Sequence, residues 1–346
     1  MTTELAVLVG VAIVVSALLT SWVRRLALAR GILDSPNARS SHVRPTPRGG
    51  GIAIVVVSLA ALAVLARLDL IDTRLFYALA GGGAAVAFVG YLDDHQRIGI
   101  IGRFAAHIAA AVWATVWLGG MPEIQWGDSI VRLGYLGTPL AVLAIVWALN
   151  LFNFMDGIDG IAASQAVFMS GMGAALAVLA GMSISTPAAE LILAAASLGF
   201  LVWNWPPARI FMGDVGSGYL GFVLAVIALA AIQEHAVTLP VWLILGAVFV
   251  IDSTVTLIRR LARRERVYEA HRSHAYQWQA RRWNSHLRVT VACALINLLW
   301  LAPWAWLCVR FPTQGGWFVF AAWIPLIVLA LACGSGRRET SGETPD

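Results

Sequence analysis

Three short polar strings interrupt long apolar runs in this chain, and each carries carboxylates. Gly90-Tyr-Leu-Asp-Asp-His-Gln-Arg97 holds the pair Asp93 and Asp94. Asn150-Leu-Phe-Asn-Phe-Met-Asp-Gly-Ile-Asp-Gly160 places Asn153, Asp156 and Asp159 three residues apart. Phe211-Met-Gly-Asp-Val-Gly-Ser217 contains Asp214. An ionised carboxylate beside hydrocarbon is costly, so such residues are functional-site candidates by default. Side chains at spacing three share one side of a helical turn. Three oxygen donors so arranged suit Mg²⁺, which takes a few carboxylate or amide ligands and completes its shell with phosphate and water. The Asp93-Asp94 pair offers a second metal-binding or general-base position. Neighbours on a helix diverge by about 100°, so the two need not face one ligand. Carboxylates at a helix C-terminus also oppose its dipole and call for a compensating cation or a function. Asp214, among glycines at the start of an apolar run, reads as a helix cap or as a third part of one acidic surface.

Two basic strings accompany these acids. The first, from Asp34 to Gly51, is held out of regular helix by its prolines and glycines. Its Gly49-Gly50-Gly51 run offers backbone N–H groups to an anion, or else the string is a connector whose arginines mark topology. The second, residues 258–288, contains Arg259, Arg260, Arg263, Arg264, Arg266, His271, Arg272, His274, Arg281 and Arg282. Arginine forks bind phosphate in bidentate fashion. Contact with anionic lipid would also account for the arginines, but less well for the two histidines. His271-Arg-Ser-His274 lacks a zinc-helix spacing, and Cys293, Cys308 and Cys333 show no CxxC pattern.

The elements that must position these groups are apolar helices. The chain is 59% hydrophobic and 12% charged, about half the charge of a soluble protein. Apolar segments lie near 5–23, 51–66, 75–92, 104–119, 137–153, 162–181, 187–203, 217–232, 237–257, 289–309 and 315–333. Runs of about 20 residues suit bilayer-spanning helices, and backbone in lipid must satisfy itself internally, which selects a helical bundle. The expected fold is an all-α integral membrane bundle of about 11 transmembrane helices. Residues 1–333 form one polytopic catalytic domain, and 334–346 a disordered cytoplasmic tail. All 24 basic residues are arginine. With the N-terminus outside and the C-terminus cytoplasmic, 20 of them fall on inner loops and 4 outside, a strong positive-inside bias. Met-Thr-Thr-Glu lacks a basic n-region, so the first segment is an anchor and not a cleaved signal. Every acidic string then faces the cytoplasm. The net charge of +5 is explained by topology and membrane-lipid contact, with no nucleic-acid partner required. The 119–136 loop falls outside and reads as a small hairpin.

Together, Arg44-Pro-Thr-Pro-Arg-Gly-Gly-Gly51, Tyr91-Leu-Asp-Asp94, the 150–160 string, the 211–217 string and His271-Arg-Ser-His274 resemble the polyprenyl-phosphate N-acetylhexosamine-1-phosphate transferase family, glycosyltransferase family 4. They occur in family order over nearly the whole chain. The resemblance implies a cytoplasmic UDP-sugar meeting undecaprenyl (polyprenyl) phosphate at the inner face of a bacterial inner membrane, with Mg²⁺ as cofactor, Mn²⁺ as its substitute and a homodimer as the candidate assembly. Asp214 matches the principal Mg²⁺ ligand and Asn153 its amide partner. Asp93 and Asp94 match the pair that positions or deprotonates the lipid phosphate, and Asp156 and His274 belong to the same catalytic set. Asp159 matches a uracil-reading position, and Phe211 lies where a ring can meet the base. Arg272 and His274 match the loop that clamps the diphosphate, with His271 standing where some branches have aspartate. Arg97 stands where many relatives have lysine or another residue. The triple histidine of the peptidoglycan branch is missing, which disfavours a muramyl-pentapeptide substrate. The 267–277 string looks most like the O-antigen-initiating branch that also accepts 6-deoxy sugars, whose missing hydroxyl Tyr268 and Ala270 would tolerate. An ion-coupled transporter is the competing reading, but its charges should lie near mid-bilayer on broken helices.

Overall fold

The computed structural model describes residues 3–35, 44–96, 98–127, 129–235, 237–265 and 271–338. Helices dominate it. The first four are α1 (Thr3–Ala29), α2 (Gly51–Arg67), α3 (Thr73–Gln96) and α4 (Ile100–Leu118). Next come α5 (Gly137–Met155), α6 (Ile161–Leu179), α7 (Ser185–Asn204) and α8 (Asp214–Gln233). The last six are α9 (Leu239–Leu245), α10 (Ala247–Ala262), α11 (Ala275–Arg282), α12 (His286–Leu295), α13 (Ala302–Arg310) and α14 (Gly315–Ala332). Two short antiparallel pairs complete the chain: Leu33–Asp34 with Thr46–Pro47, and the expected hairpin of Ile124–Trp126 with Ser129–Val131.

Among the described residues nine helices are long and apolar enough to cross a membrane, and a bent pair makes a tenth. Large apolar side chains such as Leu18, Phe88, Ile101 and Val116 line the outer surface, as a bilayer-facing protein requires. Two of the eleven expected spans depart from simple crossings. The segment near 51–66 forms α2, whose 17 residues cover about 25 Å, short of a hydrocarbon core of roughly 30 Å. The segment near 237–257 is broken at Gly246 into α9 and α10, which meet at 78°. A break inside a bundle frees backbone carbonyls that need new donors. Here buried Gln165 on α6 donates to the Leu245 carbonyl at 2.9 Å, and Asn297 donates to Gln165 Oε1 at 2.7 Å. Asn297 belongs to a π-helical stretch, Ile296–Leu301, that joins α12 to α13 just before Pro303, where proline cannot supply a helical N–H.

The centre of the bundle is α8, with 89% of its apolar stretch buried against 22% for α1. Its small residues let three neighbours approach to backbone contact. A Cβ on Gly221 would strike the Ala148 carbonyl of α5, and one on Gly90 of α3 would lie 2.6 Å from the Asp214 carbonyl. A Cβ on Gly51 of α2 would fall 2.5 Å from Gly216 Cα. The N–H groups of Gly50 and Gly51 donate to the carbonyls of Phe211 and Met212, both at 2.9 Å. Gly51 is therefore a packing device, and the N–H groups of Gly50 and Gly51 are used inside the protein instead of cradling an anion.

The start of the expected tail is also ordered. Ser335 is fully buried, and the Gly336 N–H donates to the Ser273 carbonyl at 2.7 Å. Residues 339–346 lie outside the described residues.

If close packing is the role of Gly51, Gly51→Ala should force α2 from α8 and cost about 1–3 kcal/mol. Thermal unfolding in detergent should register this as a lowered midpoint that added nucleotide does not selectively worsen.

Candidate phosphotransfer site

The acidic strings converge at one end of α8, but not in the way their spacing alone suggests. α8 begins with Asp214 itself, so Asp214 is not its cap. The cap comes from α3: Asp94 accepts the Asp214 N–H at 3.0 Å on Oδ1 and the Val215 N–H at 3.2 Å on Oδ2. A carboxylate there meets two orphan N–H donors and the positive end of the helix dipole. Gly213 makes room for it. Its φ of +79° suits glycine, and a Cβ would sit 2.7 Å from Asp94 Oδ2.

Arg48, from the loop before α2, completes the motif. Its Nη2 lies 2.6 Å from Asp94 Oδ1 and 3.1 Å from Asp214 Oδ1. Asp93 points elsewhere, as adjacent positions on a helix must, and pairs with Arg103 of α4 at 2.6 Å. These two arginines are the compensating cations that a carboxylate pair at the end of α3 requires. A polar pocket continues from Asp214 and Asn153 past Asp93 and Arg103 to His107 and Asn150.

The proposed helical face of Asn153, Asp156 and Asp159 does not form. α5 stops at Met155 and Asp156 is its C-cap, because the glycines at 157 and 160 let the chain leave the helix. Asn153, still helical, donates to Asp214 Oδ1 at 3.1 Å and Ser217 Oγ at 3.2 Å. Asp156 remains within the field of Asp214, Arg48 and Asp94. Asp159 turns away. It accepts the Ala208 N–H at 2.9 Å, and its Oδ1 lies 3.1 Å from His286 Nδ1. Asn204 makes a parallel tie, accepting from Gly160 N–H at 3.0 Å and donating to the Ile210 carbonyl at 2.9 Å. Together these bonds hold the 156–160 and 205–213 loops against each other. Phe211 lies half-buried on the second loop, its N–H donating to the Pro47 carbonyl at 2.8 Å.

The His271–His274 loop reaches this end of the bundle through α11. Tyr276 donates its hydroxyl to the Phe154 carbonyl at 2.9 Å, and glycine at 157 leaves room for that ring. His274 is buried, with its Nδ1 3.7 Å from Asp252 Oδ1 and its ring stacked on Tyr276. His271 packs on His274 at 4.9 Å between ring centres, and its Nδ1 lies 3.0 Å from Ser273 Oγ. The Arg272 carbonyl accepts from Arg281 at 3.1 Å. Arg97, Tyr268 and Ala270 lie outside the described residues.

The spacing argument thus missed Arg48, Arg103, His286 and Asp252. By spacing alone Arg103 reads as a topology marker, and Arg48 as part of the 44–51 string without a partner. Asp252 carried a usable signal, an acidic residue inside the apolar 237–257 run.

Four carboxylates, Asp93, Asp94, Asp156 and Asp214, face two guanidiniums, Arg48 and Arg103, among the described residues. The carboxylates outnumber the guanidiniums, and Asp34 also acts on Arg48; a bound cation would suit that excess. Burial first, then the Asp214 carboxylate, pushes the Asp156 carboxyl well above its usual range. No three His, Cys, Asp or Glu side chains among the described residues form a ready-made metal cage. Mg²⁺ takes one or two carboxylates and draws the rest of its shell from phosphate and water. Asp214, Asn153 and Asp156 are the oxygen donors at hand.

The glycosyl transferase family 4 profile matches residues 76–232. A probable undecaprenyl-phosphate N-acetylglucosaminyl 1-phosphate transferase of Bacillus subtilis is 31% identical over 283 residues, covering 79% of this chain and 77% of the relative. The chain belongs to the polyprenyl-phosphate sugar-1-phosphate transferase family. A decaprenyl-phosphate N-acetylglucosaminephosphotransferase of Mycobacterium tuberculosis is 30% identical, covering 86% of this chain and 80% of its own. A phospho-N-acetylmuramoyl-pentapeptide-transferase of Ruegeria pomeroyi is 31% identical, with 66% and 69% covered. This family member is a multi-pass membrane transferase of the phosphosugar class, and the transporter reading falls away.

A carboxyl whose folded pKa is raised lends stability at acid pH and withdraws it as pH rises through the usual and then the raised value. Without divalent ions, Asp156→Asn should therefore unfold at a higher temperature than the parent protein at neutral pH. The gain should shrink toward zero near pH 4, and Mg²⁺ at neutral pH should stabilise the parent more than the variant. Thermal scans across pH with and without Mg²⁺ check both.

Proposed function

We propose that the protein transfers an N-acetylhexosamine 1-phosphate, or its 6-deoxy counterpart, from a UDP-sugar to undecaprenyl phosphate, releasing UMP. The reaction occurs on the cytoplasmic face of a bacterial inner membrane and starts a cell-surface polysaccharide. The observation that carries this reading is the uncompensated acidic cluster at the head of α8, with two guanidiniums and the His271–His274 loop beside it. The 20-to-4 arginine bias supports the cytoplasmic orientation.

An oxygen of the lipid phosphate attacks the sugar-linked phosphorus, and the bond from that phosphorus to the UMP oxygen breaks. Such a transfer depends mainly on positioning and charge neutralisation. Arg48 and Arg103, each held by a carboxylate, present guanidiniums to phosphate oxygens, and Arg272 and His274 face the diphosphate from the loop before α11. Mg²⁺ held by Asp214 and Asn153 would supply the remaining positive charge. A phosphate monoester loses its second proton near pH 6, so the acceptor needs no strong base. Asp94 spends its carboxylate on the cap and Arg48, which favours positioning over proton abstraction.

Purified protein given UDP-N-acetylglucosamine, undecaprenyl phosphate and Mg²⁺ should release UMP. Asp214→Asn should lower that rate on the order of a thousandfold while its unfolding temperature is retained. Near-normal turnover at saturating Mg²⁺ would remove Asp214 from the role.

The relatives above are named for N-acetylglucosamine or muramyl-pentapeptide donors, and the absent triple histidine favours the former for this chain. An apolar wall facing C6 would disfavour the 6-hydroxylated sugar by no more than about a hundredfold, whereas a site built to bond the hydroxyl would reject the 6-deoxy analogue by about 10⁴. Competition between UDP-N-acetylglucosamine and UDP-N-acetylquinovosamine or UDP-N-acetylfucosamine should give the smaller ratio.

A further inference from the structure

The C-terminal segment after α14 folds back onto the helix that carries the His271–His274 loop. Cys333 starts the contact, its carbonyl accepting from Gln279 at 3.3 Å. The fully buried Ser335 donates its hydroxyl to Asp252 Oδ1 at 2.7 Å, and its carbonyl accepts from Arg259 at 2.7 Å. The Gly336 N–H donates to the Ser273 carbonyl at 2.7 Å, with φ at +66°, and a Cβ there would lie 3.0 Å from Arg259 Cβ. Arg337 then lies over the Trp278 ring, which also carries Arg281.

Asp252 is the hub of these contacts. Besides Ser335 it accepts the Ala275 N–H at 2.8 Å and the Tyr276 N–H at 3.2 Å, so it caps α11 from α10. Ser335 thus fixes the carboxylate that fixes α11, and Gly336 holds Ser273 directly. α11 is in turn tied by Tyr276 to the turn that follows Asn153.

We propose that Gly334–Arg337 is a latch that sets the position of the His271–His274 loop, with Ser335 and Gly336 as positioning residues for the transfer. The catalytic part of this proposal rests on the function proposed above, whereas the mechanical part does not.

Hydrogen exchange read by mass spectrometry tests the mechanical part in detergent. In Ser335→Ala, amides of 271–282 should exchange roughly tenfold faster, the loss of one buried hydrogen bond to a charged group, while α10 and α14 keep their protection. Turnover assays on the same sample should show a rise in KM for the UDP-sugar and a fall in kcat of about tenfold, with the KM for lipid phosphate unchanged. A chain ending after Arg338 should match the parent in both measurements, and one ending after Gly334 should exceed Ser335→Ala. Unchanged exchange in 271–282, or equal acceleration through α10 and α14, overturns the latch. Faster exchange with unaltered kcat and KM overturns its role in positioning. If the parent releases no UMP from any UDP-sugar, the functional reading fails and the exchange data still judge the latch.

Discussion

The head of α8 depends on a carboxylate that belongs to another helix. Asp94, at the end of α3, closes the first two N–H groups of α8 and holds Arg48, which bridges to Asp214. Remove that carboxylate in thought and the first two N–H groups of the most buried helix lose their acceptor, while Arg48 keeps only Asp214 and Asp214 keeps only Arg48 and Asn153. Buried ion pairs contribute little net stability because desolvation offsets the attraction. Their value here is geometric. A charged network with several strict partners has few alternative arrangements, so it fixes where the carboxylates and guanidiniums lie.

The same device appears twice. Asp252 caps α11 as Asp94 caps α8, each carboxylate reaching across from a different helix to two successive N–H groups. In both cases a buried carboxylate near hydrocarbon is satisfied by backbone donors and by a further side chain. The break at Gly246 is what turns α10 toward α11, and buried Gln165 and Asn297 make that break tolerable by satisfying the freed carbonyl. An irregularity deep in the bundle is therefore linked by hydrogen bonds to the position of a loop at its end.

Close backbone contact supplies the other constraint. α8 packs against α2, α3 and α5 at glycines, where lipid gives no hydrophobic drive for association and small residues gain dispersion contact instead. Gly51 and Gly90 bring the Arg48 loop and the Asp94 turn to the head of α8, so packing and electrostatics locate the same point. The glycine run looked like an anion cradle because glycine before a helix serves both purposes. The N–H groups of Gly50 and Gly51 went to the 211–212 carbonyls, a pairing no local pattern specifies.

Hydropathy alone determined that this chain is a helical membrane bundle, because hydrocarbon leaves the backbone no other way to satisfy itself. The order of the polar strings also identified the family, since those residue types recur at those places for a chemical reason. Local patterns could not decide partners. Asn153, Asp156 and Asp159 have helical spacing, yet the helix ends between the first and second, and Asp159 is drawn to His286 and Ala208 from distant parts of the chain. Asp93 and Asp94 are adjacent but serve different arginines, and Arg48 and Arg103 showed no partner until folding placed them against carboxylates. Hydropathy is a property of each segment by itself, whereas a charge pair is a property of two segments brought together. Only the tertiary structure, by setting α3, α5 and the Arg48 loop around one end of α8, decided which carboxylate caps a helix and which binds which arginine.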